Sequence, residues 1–219
     1  MTLVDFLPTL LRGALVTLEA TVLSAAVALV VSVVVGLVRL SRFRVLRGVA
    51  LVYVEVFRGT SALVQLFYFF FVLPLLGIDL SPMTAGVLAL GLNFGSYGSE
   101  VVRAAVLNVP RGQHEAAVAL NYSPALAMRR IVFPQALAAM LPPFGNLLID
   151  LLKATSLLSL ITIGDLTFAG KTLVQGQGHV TEVYSLLLVI YFVMALALGR
   201  LMQAAERRVP GAVVKEAAR

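Results

Sequence analysis

Three pairs of opposite charges stand where charge is least expected. Glu55 with Arg58, Glu100 with Arg103, and Asp150 with Lys153 are each three residues apart inside long apolar runs. That spacing puts both members of a pair on one helix face, where they can meet. A charge in an apolar medium is costly, so each pair either neutralises itself within the helix or lines an aqueous path. Glu55, Arg58 and Arg103 read equally as a gate or as structural ion pairs, and Arg103 and Glu100 lie near one end of their run, where they could snorkel. Asp150 and Lys153, with Thr155 and Ser156 after them and the helix breakers Pro142 and Pro143 before them, make the better solute contact. A zwitterion carries one charge of each sign, and this stretch offers the complement of both. Asn93 and Tyr97, one helical turn apart, could add hydrogen bonds to a small polar solute. On another face Gly91, Gly95 and Ser99 form a small-residue stripe suited to packing against a neighbouring helix.

Catalytic chemistry finds no support in the sequence. No H-E-x-x-H motif occurs, cysteine is absent, and the two histidines, His114 and His179, are far apart, so neither a metal site nor a bound cofactor is expected. Gly164-Asp-Leu-Thr-Phe-Ala-Gly170-Lys171-Thr172 approaches a phosphate-binding loop, but five residues separate its glycines where that loop requires four. The stretch is therefore not read as a phosphate-binding loop.

The elements that position these residues are membrane helices. Of the 219 residues, 60% are hydrophobic and only 13% charged, about half the charged share of a soluble domain. The apolar residues form blocks long enough to cross a hydrocarbon layer, which takes about 20 helical residues. Five spans are expected, within Val16–Val38, Val49–Ile78, Met83–Leu107, Ile131–Ile163 and Val183–Gly199, in one domain over residues 1–219. The first block is too long for a cleavable signal and is followed by Arg39, Arg42, Arg44 and Arg47, so it is expected to stay in the membrane. The run Phe67-Tyr68-Phe69-Phe70-Phe71 suits an interfacial belt.

Basic residues sort to alternate connections: the four arginines after the first block, then Arg111, Arg129 and Arg130, then Arg207, Arg208, Lys215 and Arg219. Placing these on the cytoplasmic side puts the N-terminus outside and the C-terminus inside. The net charge of +6 then faces anionic lipid. Nucleic acid is not an expected partner, because the basic residues form no single patch with interleaved aromatics.

The connection after the third block reads as a short surface helix. Pro110 and Gly112 start it, Glu115 lies toward its positive end, Ala116, Ala117, Ala119 and Leu120 follow, and Asn121 can adopt the left-handed turn that ends it. Pro124 stops continuation. An alanine-lined helix can enter a partner's groove closely; a plain connector is the other reading.

Glu115-Ala116-Ala117, Asn121, Ile131 and Phe133-Pro134, at these intervals, resemble the EAA loop of permease subunits in ATP-binding-cassette importers. Asn121 replaces that loop's usual Gly, and Phe133 its usual Leu. Phe57-Arg58-Gly59-Thr60-Ser61, Glu100-Val-Val-Arg103, Val109-Pro-Arg-Gly-Gln113, Pro134-Gln135-Ala136 and Lys153-Ala-Thr155-Ser156-Leu157 resemble, in order, segments of the polar amino-acid branch. Wording around Tyr53-Val-Glu55-Val-Phe57, Leu92-Asn93-Phe94 and Pro142-Pro-Phe-Gly-Asn146 is most similar to ectoine and hydroxyectoine permeases.

The resemblance implies an all-α, MetI-like type I importer fold in a bacterial-type inner membrane. It implies as partners a second permease subunit, identical or paralogous, a dimer of ATP-binding subunits that holds ATP and Mg, and an extracytoplasmic solute-binding protein. Gly112, Glu115, Ala116, Ala117, Leu120 and Asn121 would then couple the chain to the ATP-binding subunit. The path would involve Asn93, Tyr97, Glu100, Asp150, Lys153, Thr155 and Ser156. An ATP-independent secondary transporter is the alternative; its usual inverted repeats are not apparent in five spans.

Overall fold

The computed structural model describes residues 3–208, with side chains from Phe6 onward except those of His114 and Gln177. The side chain of Asp5, and Lys215 and Arg219 of the basic C-terminal segment, lie outside the described residues. Every regular element among those described is helical. The first helix, α1, spans Leu3–Val38, and after a short turn α2 spans Arg44–Gly59. The expected second span does not continue straight: the chain breaks at Thr60 and Ser61, then resumes as α3, Ala62–Phe67, and a π turn, Tyr68–Val72, bent by 103° from α2. Helix α4 covers Pro82–Leu107, capped at its start by Ser81, whose hydroxyl accepts from the Thr84 amide at 3.2 Å.

Next come the short α5, Arg111–Ala119, and α6, Pro124–Ala127, which passes through a π turn, Met128–Val132, into α7, Phe133–Ala154. Pro142 and Pro143 do not break α7, contrary to expectation. Each removes one N–H and so frees one carbonyl a turn earlier, a loss membrane helices tolerate where those groups find other partners. A 3-10 stretch, Thr155–Ile161, ends in left-handed Thr162 (φ 64°) and leads to α8, Leu166–Gln177, and then α9, Val180–Arg208.

Three helical runs are by themselves long and apolar enough to cross a membrane: Phe6–Val38, Pro124–Ile161 and Val180–Arg208. The bent pair α2 and α3 makes a fourth if counted as one span. The count of five is therefore not reached by length and apolarity. Helix α4 explains the shortfall: at 26 residues it is about 39 Å long, yet it is surrounded by α1, α2, α3 and α7, and it buries glycine, serine and alanine where a lipid-facing helix would show large apolar residues.

Helices α1 and α4 run parallel and very close. A methyl built on Gly91 would meet Val27 Cβ at 2.7 Å, one on Gly95 would meet Val31 Cγ1 at 2.7 Å, and one on Gly36 would meet Val102 Cβ at 2.7 Å. Gly98 faces Ser32 in the same seam, and Ser32 donates across it to the Gly95 carbonyl at 3.2 Å. The expected stripe of Gly91, Gly95 and Ser99 is thus a packing surface, extended by Gly98. Helix α9 runs antiparallel to α7, with Gly199 beside Ile149 and Gly145 beside Met202. Arg207 and Arg208 consequently return toward the end where α7 begins, the end at which α1 and α4 also finish.

Candidate functional site

At that common end α5 projects as a prong. Its termination follows from Asn121, whose φ of 56° is the left-handed conformation expected of it. The Tyr122 amide donates to the Ala117 carbonyl at 3.0 Å and the Asn121 amide to the Val118 carbonyl at 2.9 Å, a Schellman closure. Ser123 then caps α6, accepting from the Leu126 amide at 3.3 Å. Only Ala117 of the expected docking residues is buried; Gly112, Glu115, Ala116, Leu120 and Asn121 are exposed. Val118, 75% exposed beside Leu120 at 63%, was missed because valine on an alanine-rich helix reads as core. Glu115 lies beyond the first turn of α5, so the positive helix end gains little from its charge. Gly112 has open space at its Cβ position, so packing within this chain does not demand glycine there. The prong is braced by Gln135 of α7, which donates to Gln113 at 3.2 Å.

Two of the three expected charged pairs form, Glu100 with Arg103 and Asp150 with Lys153. Glu100 collects three arginines: Arg39 at 2.5 Å, Arg103 at 3.1 Å and Arg58 at 3.4 Å. The Arg58 guanidinium also lies 5.2 Å from the ring centre of Tyr97. The expected Glu55–Arg58 pair is not formed, because Arg58 turns toward Glu100 and Tyr97, where a full negative charge and a π face are both available. Arg39, expected as a basic flank of the first apolar block, has a side chain only 9% exposed. One carboxylate among three guanidiniums leaves a surplus of positive charge, borne by the partly exposed Arg58 and Arg103.

Asn93 and Tyr97 separate in role. Asn93 is buried and donates to the Phe57 carbonyl at 2.9 Å and to Gln65 Oε1 at 3.0 Å. Gln65 donates to the same carbonyl at 2.9 Å and to Thr60 Oγ1 at 2.6 Å, and Tyr53 donates to the Leu92 carbonyl at 2.6 Å. Asn93 and Gln65 thereby satisfy the Phe57 carbonyl where α2 ends inside the bundle, while Tyr53 ties α2 to the middle of α4. Asn93→Leu should therefore lower stability by about 1–3 kcal/mol, the cost of orphaning buried partners. Thermal unfolding in detergent checks this; an unaltered melting point with impaired solute binding would assign Asn93 to the solute instead.

Asp150 and Lys153 do meet, at 3.4 Å, with side chains 61% and 63% exposed. They belong to a polar line along α7 made of Gln135, Asn146, Asp150 and Lys153, all exposed. A lipid-facing surface would not carry such a line, so this face needs water or another protein. Thr155 is fully buried and donates to the Leu152 carbonyl at 2.6 Å, away from that line, while Ser156 donates to the Lys153 carbonyl at 2.8 Å. Gln135 and Asn146 stand in the family-like segments of the sequence, and they share this face because the helix passes unbroken through both prolines. The Gly164–Thr172 segment contains no strand; Asp165 caps α8 there, accepting from the Phe168 amide at 2.8 Å. A phosphate loop is excluded by that geometry as well as by spacing. Among the described residues no group of histidine, cysteine, aspartate and glutamate could hold a metal ion.

The family model described as binding-protein-dependent transport system inner membrane component matches residues 10–210. The chain belongs to this family. Such inner-membrane components are permease subunits, and the hydrolysis of ATP is done by separate subunits. The permease is 47% identical to a probable amino-acid ABC transporter permease protein of Sinorhizobium fredii, over 94% of this chain and 89% of that one. It is 37% identical to the glutamine transport system permease protein GlnP of Escherichia coli, over 92% and 93%. A solved amino acid ABC transporter with histidines matches with a TM-score of 0.87 and 35% identity, covering 94% of this permease and 96% of that chain. The inward-facing MetNI methionine transporter, at 21% identity and TM-score 0.78, shares the fold. The permease is thus a multi-pass inner-membrane protein of MetI-like fold.

Proposed function

We propose that this permease imports a polar amino acid or similar zwitterion, with α5 docked in a cleft of an ATP-binding subunit on the cytoplasmic side. The observation that carries the reading is the exposed prong at the end of the bundle where the described basic segments, Arg39 to Arg47, Arg111 to Arg130 and Arg207 with Arg208, gather. Short basic connections stay cytoplasmic, so that end is inside and the N-terminus outside. The glutamine permease and the amino-acid permease among the relatives support the substrate class. The exposed polar line on α7 and the surplus positive charge of Arg58 and Arg103 suit a solute bearing both an ammonium and a carboxylate. A second permease subunit facing that line would complete the path, and a solute-binding protein outside would supply it. ATP and Mg belong to the docked subunit in this reading, and the present chain binds neither. Closure of the ATP-binding dimer would pull α5 and open the path outward.

Ectoine is the finer possibility, resting on the wording near Tyr53, Asn93 and Asn146; the relatives named above concern amino acids. Uptake of labelled ectoine, glutamine, arginine and histidine in cells with and without this chain distinguishes them. Loss of an amino acid's uptake alone removes ectoine and keeps the class. The same protein in liposomes without its ATP-binding subunit should accumulate nothing on an ion gradient; accumulation would favour the secondary-transporter alternative.

A further inference from the structure

We propose that Asp165 is a proton-binding site, its carboxyl buried at the start of α8 and taking up a proton in acid. The residue is fully buried. One oxygen, Oδ1, accepts from the Phe168 amide, while Oδ2 is buried without a hydrogen-bond partner. An ionised carboxylate can only accept, and leaving one of its oxygens dry and unpaired is costly. A protonated carboxyl turns the same oxygen into a donor.

Among the described residues, the surroundings offer hydroxyls and no cation. From α1, Thr17 is fully buried, and its Oγ1 accepts from the Leu166 amide at 3.0 Å. From α8, Thr167 stands beside the carboxyl and its hydroxyl lies 2.9 Å from that of Tyr191 on α9. From the 3-10 stretch, buried Thr155 lies near the Tyr191 hydroxyl. Among the described residues, Tyr191 is the one titratable group that faces Asp165 from these elements, and it is neutral at ordinary pH. The charged residues of the same elements point elsewhere: Arg12 and Glu19 on α1 and Lys171 on α8 are exposed, Lys153 on α7 engages Asp150, and Glu182 on α9 engages His179. Gly13 presses on the backbone from below, since a methyl there would meet the Asp165 carbonyl at 2.9 Å.

Asp165 sits on the outer side of the topology proposed above, beyond the Pro124–Ile161 run. Burial pushes its carboxyl from the ordinary 3.8 to about 6. The folded-state value is thus above the unfolded one, so the stabilising contribution is fully present in acid. It is lost as pH rises from about 4 through about 6 and changes no further above that.

Two measurements on the full chain in lipid nanodiscs test the site without reference to transport. Infrared difference spectra should show the carbonyl stretch of a neutral carboxylic acid at pH 5, titrating away with a midpoint near 6 and absent from Asp165→Asn. The melting temperature of the native chain minus that of Asp165→Asn, which keeps the cap but cannot ionise, should fall between pH 4 and pH 6. Should Asp165→Asn not fold, Thr167→Val serves: it withdraws a hydroxyl that favours the ionised form, so the infrared midpoint should move to higher pH. No neutral-acid band at pH 5, parallel melting curves for the two chains, or a midpoint indifferent to Thr167→Val would each overturn the assignment.

Discussion

Glu115→Lys, or deletion of Ala116 through Leu120, should abolish uptake and release ATP hydrolysis from solute control while the membrane helices still fold. The reasoning separates the local cost from the functional one. Glu115 is exposed on α5 and lies beyond the turn where the helix end acts on charge, so its reversal should disturb α5 by less than about 1 kcal/mol. The deletion removes only exposed residues and Ala117, and touches none of the α1, α4 and α7 seams. A loss of transport of a hundredfold or more would then have to come from a broken contact with the motor subunit. Uptake in cells, ATPase activity of the reconstituted complex and circular dichroism of the purified variants read the three quantities apart. Normal uptake by either variant would refute the docking role of α5.

Gly98→Leu is expected to have the largest effect on folding. A side chain at Gly98 would collide with Ser32 and would also come within 3.0 Å of Phe144 Cε1, so it meets α1 and α7 together. Neither can yield independently, because Gly91 and Gly95 already hold α1 against α4 at contact distance along the same line. Overpacking usually costs about 1–3 kcal/mol, and here two helices must part, so about 3 kcal/mol or more is expected. Separation would also strip Ser32 of its cross-helix acceptor. Gly48→Ala, where nothing lies within 4 Å, is the matched control and should not lower stability. Size-exclusion profiles and melting temperatures in detergent decide the matter; equal behaviour of the two variants would mean that the seam is slack.

Much of this was legible because membranes simplify the code. Apolar block length located α1 and α9, basic flanks marked one end of the bundle, and Asn121 with Pro124 delimited the prong before any coordinates. What was not legible depended on neighbours. The break at Thr60 and Ser61 carries no proline, and it is held open by Gln65 and Asn93, which are 28 residues apart. Three-residue spacing announced a Glu55–Arg58 pair, but spacing within a helix cannot report that Glu100 stands closer in space. Pro142 and Pro143 read as a break because each lowers helix stability in water, whereas α7 continues through both, as helices in membranes can. Asp165 drew attention only as part of a failed phosphate loop, since burial of a lone carboxyl leaves no mark on sequence.

The hydroxyls of α1 bear on how the chain is made. Thr21 donates to the Thr17 carbonyl at 2.7 Å and Ser32 to the Ala28 carbonyl at 2.5 Å, each one turn back on its own helix. Lateral partners for this segment arrive late: the α4 residues around Gly95 emerge some sixty positions afterwards, and Leu166, whose amide reaches Thr17, follows 149 residues on. Those two side chains bring their own acceptors, so the nascent rod can leave the translocation machinery for lipid while the ribosome is still producing the helices that will enclose it.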